Sequence, residues 1–159
     1  MGKTAINDLV DQYQRTFHML YTTLEEFDAA QWVTGISFFQ VPVKLAMHVV
    51  DTLDYYFSGK NQEQYVWGHR FNGGWWELSD EQLPDKATVL AYAREIEKRA
   101  LAELSSLHDE DLSRPFEIAD GSGDTLLGHY IYALRHTMHH QGALGVLSIH
   151  QGNDGGDWA

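Results

Sequence analysis

His136 and His140 stand four residues apart in the run Arg135-His136-Thr137-Met138-His139-His140-Gln141-Gly142, and His48 stands alone far upstream. Helical positions i and i+4 share a face and lie about 6 Å apart along the axis. Two imidazoles so placed can bite one divalent cation. A third from another helix would complete a set of neutral nitrogen ligands and leave one coordination position open, as catalytic metal sites require. His129 shares the stripe but sits about 10 Å up the axis, too far for the same ion. His139 is turned by about 100° from His140 and should face elsewhere.

Two other metal designs fail on spacing. There is no His-Glu-x-x-His, the signature of zinc proteases. A carboxylate-bridged di-iron bundle needs Glu-x-x-His on two helices, and here Ala133 and Thr137 occupy the positions around His136. A mononuclear three-histidine site remains, beside the plainer reading of packed or solvent-facing histidines. His48 weighs against the plainer reading, because it lies among Leu45, Val49 and Thr52, where an unpaired imidazole is costly to bury. Asp51 could act as a further ligand, an orienting acceptor or a general base. The simpler expectation for Asp51 and Asp54 is a solvated carboxylate on the bundle surface. Glu95, Glu97 and Glu103, interleaved with Arg94, Lys98 and Arg99, read as an ordinary charged helix face.

Four stretches of helical periodicity must position these residues, and nothing alternates as strand. The first runs from about Thr4 to Phe27, with Ile6, Leu9, Tyr13, Phe17, Leu20 and Leu24 on its inner stripe. The second starts at Pro42, a good first-turn residue, and runs to Phe57 before Ser58-Gly59 stops it. The third runs from Asp85 or Lys86 to Leu107. The fourth follows Gly121-Ser122-Gly123-Asp124, with Asp124 as the expected N-cap, and ends near His150. Trp158 is expected to fold back after the polar tail. Residues 1–159 are read as one domain, an all-α four-helix bundle. Two connections exceed what a bundle needs, and the one from Gly59 to Pro84 is rich in aromatics: Tyr65, Trp67, Phe71, Trp75 and Trp76. It reads either as a satellite core or as the wall of an apolar pocket.

Composition narrows the function classes. With 23 acidic against 11 basic residues the net charge is −12, which argues against nucleic acid and against an anionic membrane surface. No apolar run reaches the roughly 18 residues of a membrane span, and the N-terminal residues lack a signal-peptide core, so a cytoplasmic location is expected. Without cysteine the chain has no thiolate of its own. Any thiol chemistry must come from a substrate or cofactor. Histidine is concentrated instead: five of the nine fall at positions 129–150.

Two motifs carry a family resemblance. The segment Val43-Lys44-Leu45-Ala46-Met47-His48-Val49-Val50-Asp51-Thr52-Leu53-Asp54 resembles the first metal motif of the DinB/YfiT-like bundles. The segment Leu134-Arg135-His136-Thr137-Met138-His139-His140-Gln141-Gly142 is similar to their His-x-x-x-His helix, and Gln151-Gly152 with Trp158 to their ending. The resemblance implies an up-down-down-up four-helix bundle, a homodimer, and one divalent ion on His48, His136 and His140. Its relatives include metal-dependent hydrolases and S-transferases that use low-molecular-weight thiols such as bacillithiol or mycothiol. One departure is Gln141, where the family often has arginine, which removes a candidate anion-binding group.

Two functions follow as expectations. One is a metal-dependent enzyme, with zinc or nickel activating water for hydrolysis or a low-molecular-weight thiol for S-transfer. Its partner would be a small-molecule substrate, and no catalytic residue is assigned. Asp51, Tyr55, His69, Trp75 and His129 are the candidates for a pocket beside the ion. The alternative is a non-catalytic, metal-stabilised binding or stress-response module, which a closed site with four protein ligands would favour.

Overall fold

The fold is known from a computed structural model that describes residues 3–118 and 122–159. Gly121, part of the turn expected before the last helix, lies outside the described residues. Five α-helices form, with no strand among the described residues: α1 (Thr4–Glu26), α2 (Ala29–Trp32), α3 (Pro42–Tyr56), α4 (Lys86–Ser106) and α5 (Leu126–His150). The four long ones match the periodic stretches. The extra single turn α2 is set by a capping box, in which the Asp28 carboxylate accepts from the Ala30 and Gln31 amides and Gln31 accepts from Asp28 N–H.

The main packing runs α1 on α4, α4 on α3, α3 on α5 and α5 on α1, so α1 sits across the bundle diagonal from α3, and α4 from α5, while α3 and α4 are neighbours. Paired contacts give the directions. Tyr13 meets Tyr130 and Thr23 meets Gln141, so α1 and α5 run parallel. Tyr21 meets Glu97 while Glu25 meets Arg94, so α4 opposes α1. His48 meets His140 while Tyr56 meets His129, so α3 opposes α5. The result is an up-down-down-up bundle.

The core is the inner stripe of each helix: Tyr13, Phe17, Leu20 and Leu24 of α1, Val89, Ala93 and Ile96 of α4, and Ala133 and Leu144 of α5. Helix α3 departs from this pattern, because it is buried almost all round. The 57–84 connection lays Tyr65, Phe71 and Leu78 into the interior over its outer side. Asp51 and Asp54, expected in solvent, are therefore 1% and 4% exposed.

The helix ends bring one correction, at the start of α5. Thr125, not Asp124, caps α5, accepting from the Gly128 amide. Helix α1 has no cap from its own sequence neighbourhood, and Asp109 supplies one, accepting from Thr4 N–H at 2.9 Å and Ile6 N–H at 3.0 Å. The tail does turn back, with Gly155 N–H donating to Glu26 and Asp157 N–H to Thr22. The Trp158 ring stays 86% exposed. Gly156 (φ +83°) is required in that tail, since a Cβ there would collide with Thr23.

Candidate metal centre

His48 comes from the middle of α3, and His136 and His140 come from adjacent turns of α5, the antiparallel neighbour. Each of the three can offer one ring nitrogen such that all lie within 4.8 Å of one another, and among the described residues no carboxylate joins the group. His48 Nε2 and His140 Nε2 are 3.2 Å apart. Ring centroids are 5.2 Å apart for His48 and His136, and 4.6 Å for His136 and His140. Two nitrogens facing each other so closely need a shared proton or a shared cation between them.

The donor set fits a cation. Two metal–nitrogen bonds of about 2.0–2.1 Å meeting near 100° would span roughly 3.2 Å. Burial holds His48 far below the ordinary histidine range, at about 3, and the neighbouring imidazoles push the same way. Burial and the His136 ring bring His140 to about 4. His136 is lowered chiefly by burial. All three are thus neutral at pH 7, the ligating form. His48 Nδ1 and His136 Nδ1 are buried with no hydrogen-bond partner, so the protein does not use up the polarity it has gathered here.

Aromatic rings surround the cluster. Trp75 sits edge-on to His48 at 5.2 Å, Phe39 stacks on His140 at 6.2 Å, and Tyr132 stacks on His136 at 6.3 Å. A cleft of about 250 Å³ opens on one side, lined by Tyr132, Arg135, His136 and His139. Of the two roles foreseen for the aromatic connection, the core role is seen in Tyr65 and Phe71, and Trp75 packs against the core edge-on to His48.

The other pocket candidates lie apart from the trio. His129 stacks on Phe116 at 3.9 Å, and its ring nitrogens face the Ser122 hydroxyl and the Tyr56 carbonyl. Tyr55 packs against Tyr65 and Trp67. Asp51 accepts from Gly68 N–H at 2.8 Å, and His69 Nε2 lies 3.8 Å from Asp54. These last residues form a second polar cluster around Tyr65, whose hydroxyl reaches Asp51 Oδ1 at 3.0 Å and Asp54 Oδ2 at 2.5 Å. Arg99 of α4 bonds Asp54 from the other side.

The face of α4 read as ordinary charge is therefore partly structural. Arg99 holds Asp54, Glu103 accepts from Tyr130, and Glu97 accepts from Tyr21. Sequence reasoning also passed over Arg135 and Tyr132. Residues 132, 135, 136 and 139 share one stretch of helix surface, so their spacing held the signal. Gln141, by contrast, is buried and donates to Thr23 Oγ1 at 3.0 Å, as a packing residue of the α1–α5 seam.

No curated protein and no solved structure gives a match to this chain. A family model for the DinB superfamily does, over residues 6–144, a span that holds all three histidines and the antiparallel α3–α5 pair that carries them. On the strength of that match, the chain belongs to the DinB superfamily.

Proposed function

We propose that the protein is a metal-dependent enzyme that holds one divalent ion, zinc or nickel, on His48, His136 and His140. The observation that carries this reading is the count of ligands: three neutral nitrogens converge, with no fourth histidine or carboxylate in the group among the described residues, which leaves a position for a reactant. When bound, such an ion supplies Lewis acidity that lowers the pKa of a water or thiol beside it. The chain's own residues do the rest. Burial keeps the three rings unprotonated and ready to ligate. Trp75, Phe39 and Tyr132 shield the apolar part of a substrate from water.

Of the two chemistries, hydrolysis and S-transfer from a low-molecular-weight thiol, one feature bears on the second. Arg135 and His139 stand at the mouth of the cleft beside His136, where they would receive the acidic group of a thiol cofactor. Arg135 thus takes the role that Gln141 leaves vacant. A cytoplasmic location suits such a cofactor, since thiols stay reduced there.

A homodimer belongs to the same reading. Leu127, Ile131, Val146 and Ile149 expose apolar side chains along one face of α5. A second copy packing there would cover this face beside the cleft.

The test is elemental analysis of untagged protein together with His48→Ala, His136→Ala and His140→Ala variants. About one equivalent of metal, lost in each variant together with ester hydrolysis or thiol conjugation to an electrophile, is the expected result. Activity that survives metal removal would overturn the reading, and so would failure to load zinc or nickel.

A further inference from the structure

Away from the histidines, at the C-terminal end of α3, a cleft of about 440 Å³ is lined by Asp54, Phe57, Lys60, Tyr65, Val66, His69 and Arg99, with Ser58 at its edge. This is the volume of a small-molecule site. It has an apolar wall in Phe57 and Val66 and a polar floor formed by the Tyr65 cluster.

The charge of that floor follows from counting hydrogens. The Tyr65 oxygen lies 2.5 Å from Asp54 Oδ2, 3.0 Å from Asp51 Oδ1 and 3.1 Å from the Asp51 carbonyl. A phenol has one hydrogen to give, and all three of these neighbours are acceptors. The shortest contact takes it, so Tyr65 donates to Asp54. For Asp51 Oδ1 to sit at 3.0 Å from the same oxygen without repulsion it must carry a proton and donate to Tyr65. Burial raises the Asp51 carboxyl above the ordinary carboxylate range, against the Gly68 amide, which pulls it down. The Gly68 amide occupies its other oxygen.

The floor therefore carries one negative charge, on Asp54, and Arg99 already balances it. What is left over is positive. Lys60 makes no ion pair among the described residues. The Arg99 bonds to Asp54 all leave from Nη2, so Nε and Nη1 keep their donors. Glu103, one turn along α4 from Arg99, accepts from the Tyr130 hydroxyl and also attracts Arg99, but it does not line the cleft. In a chain with a net charge of −12, a cleft whose unmatched charge is positive is a selective place for an anion.

We propose that this cleft is a second binding site, independent of the histidine cluster, for a small organic acid. Its anionic group sits between Lys60 and Arg99, and its apolar body lies against Phe57 and Val66. Carboxylates and phosphate monoesters share the required chemistry.

Benzoate and phenyl phosphate, titrated into the metal-stripped 159-residue chain and followed by amide NMR shifts of residues 58–69, test this. Benzamide serves as the uncharged control. Saturable binding of either acid at about 1 mM or tighter, weakened about tenfold by Lys60→Gln, is expected, and whichever acid binds more tightly identifies the anionic group. His136→Ala should leave it unchanged, which separates this site from the proposed metal site. Three results would overturn the proposal: no saturable shift from either acid, equal binding of benzamide, or an affinity unmoved by Lys60→Gln.

Discussion

Helix α3 carries two polar clusters within two turns of each other, and they are built on opposite principles. The histidine cluster is underused by the protein: its rings are neutral and crowded, and two of its nitrogens are buried without partners. The Asp51–Tyr65–Asp54 cluster is closed on itself, each acid bonded to side-chain or backbone partners and Asp54 tied to Arg99. Buried polar groups cost free energy until they find partners. A cluster that leaves that cost unmet is completed by something from outside the chain, whereas one that meets it internally pins the fold. The same helix thus presents one surface to a guest ion and spends the other on anchoring the 57–84 connection.

Four experiments press on that contrast. The largest effect is expected from His136→Ala, which should lower metal affinity by more than about 100-fold. Unfolding of the metal-free protein in urea should move little, because a cluster unsatisfied by the protein contributes little to holding it together.

Acid should act next most strongly, again through the histidines. They titrate near 6.5 when unfolded but at about 3 for His48 and about 4 for His140 when folded. Between those values the unfolded chain binds more protons, so stability falls as pH drops from about 6.5 toward about 4. Urea midpoints at pH 7 and pH 5 should differ by roughly 2 kcal/mol of stability. His48→Gln should flatten the dependence.

Asp54→Ala attacks the closed cluster. It removes the nearest acceptor of the Tyr65 hydroxyl, leaving the Asp51 carbonyl at 3.1 Å, and frees Arg99, whose side chain is half exposed and can turn to water. The expected loss is about 2 kcal/mol, below the 3–5 of a fully buried pair, with metal content unchanged. A drop in metal content would show that the two clusters are coupled.

The smallest effect belongs to Asp51→Asn. An amide has the shape of a protonated acid and can donate to Tyr65 while accepting from Gly68 N–H. Chemical denaturation should register less than about 1 kcal/mol. A large loss would mean that Asp51 is ionised and that the hydrogen count on Tyr65 is wrong.

The two clusters were also unequally legible in the sequence. His136 and His140 are four residues apart on one helix, and that spacing is a local fact of helical geometry. His48 could be added because it interrupted an apolar face. The second cluster joins α3 to a tyrosine in an aperiodic connection and an arginine on α4, and no periodicity links positions 51, 54, 65 and 99. For the same reason Asp51 and Asp54 read as surface residues: helical spacing shows which face points to the bundle axis, not that a later segment covers the opposite face. The bundle itself was legible because its four long helices carry continuous apolar stripes. The α5 cap was misplaced by one residue, where Asp124 and Thr125 are both competent caps.

The carboxylate of Asp109 that finishes the first turn of α1 bears on the order in which the chain assembles. The amides it accepts from lie 105 and 103 residues upstream. During synthesis, at about 5–20 residues per second, those amides spend several seconds exposed before their partner leaves the ribosome. Until then α1 is a helix with a frayed beginning. Its amphipathic stripe, with Tyr13 and Phe17 awaiting α4 and α5, is open to any chaperone that reads exposed apolar surface.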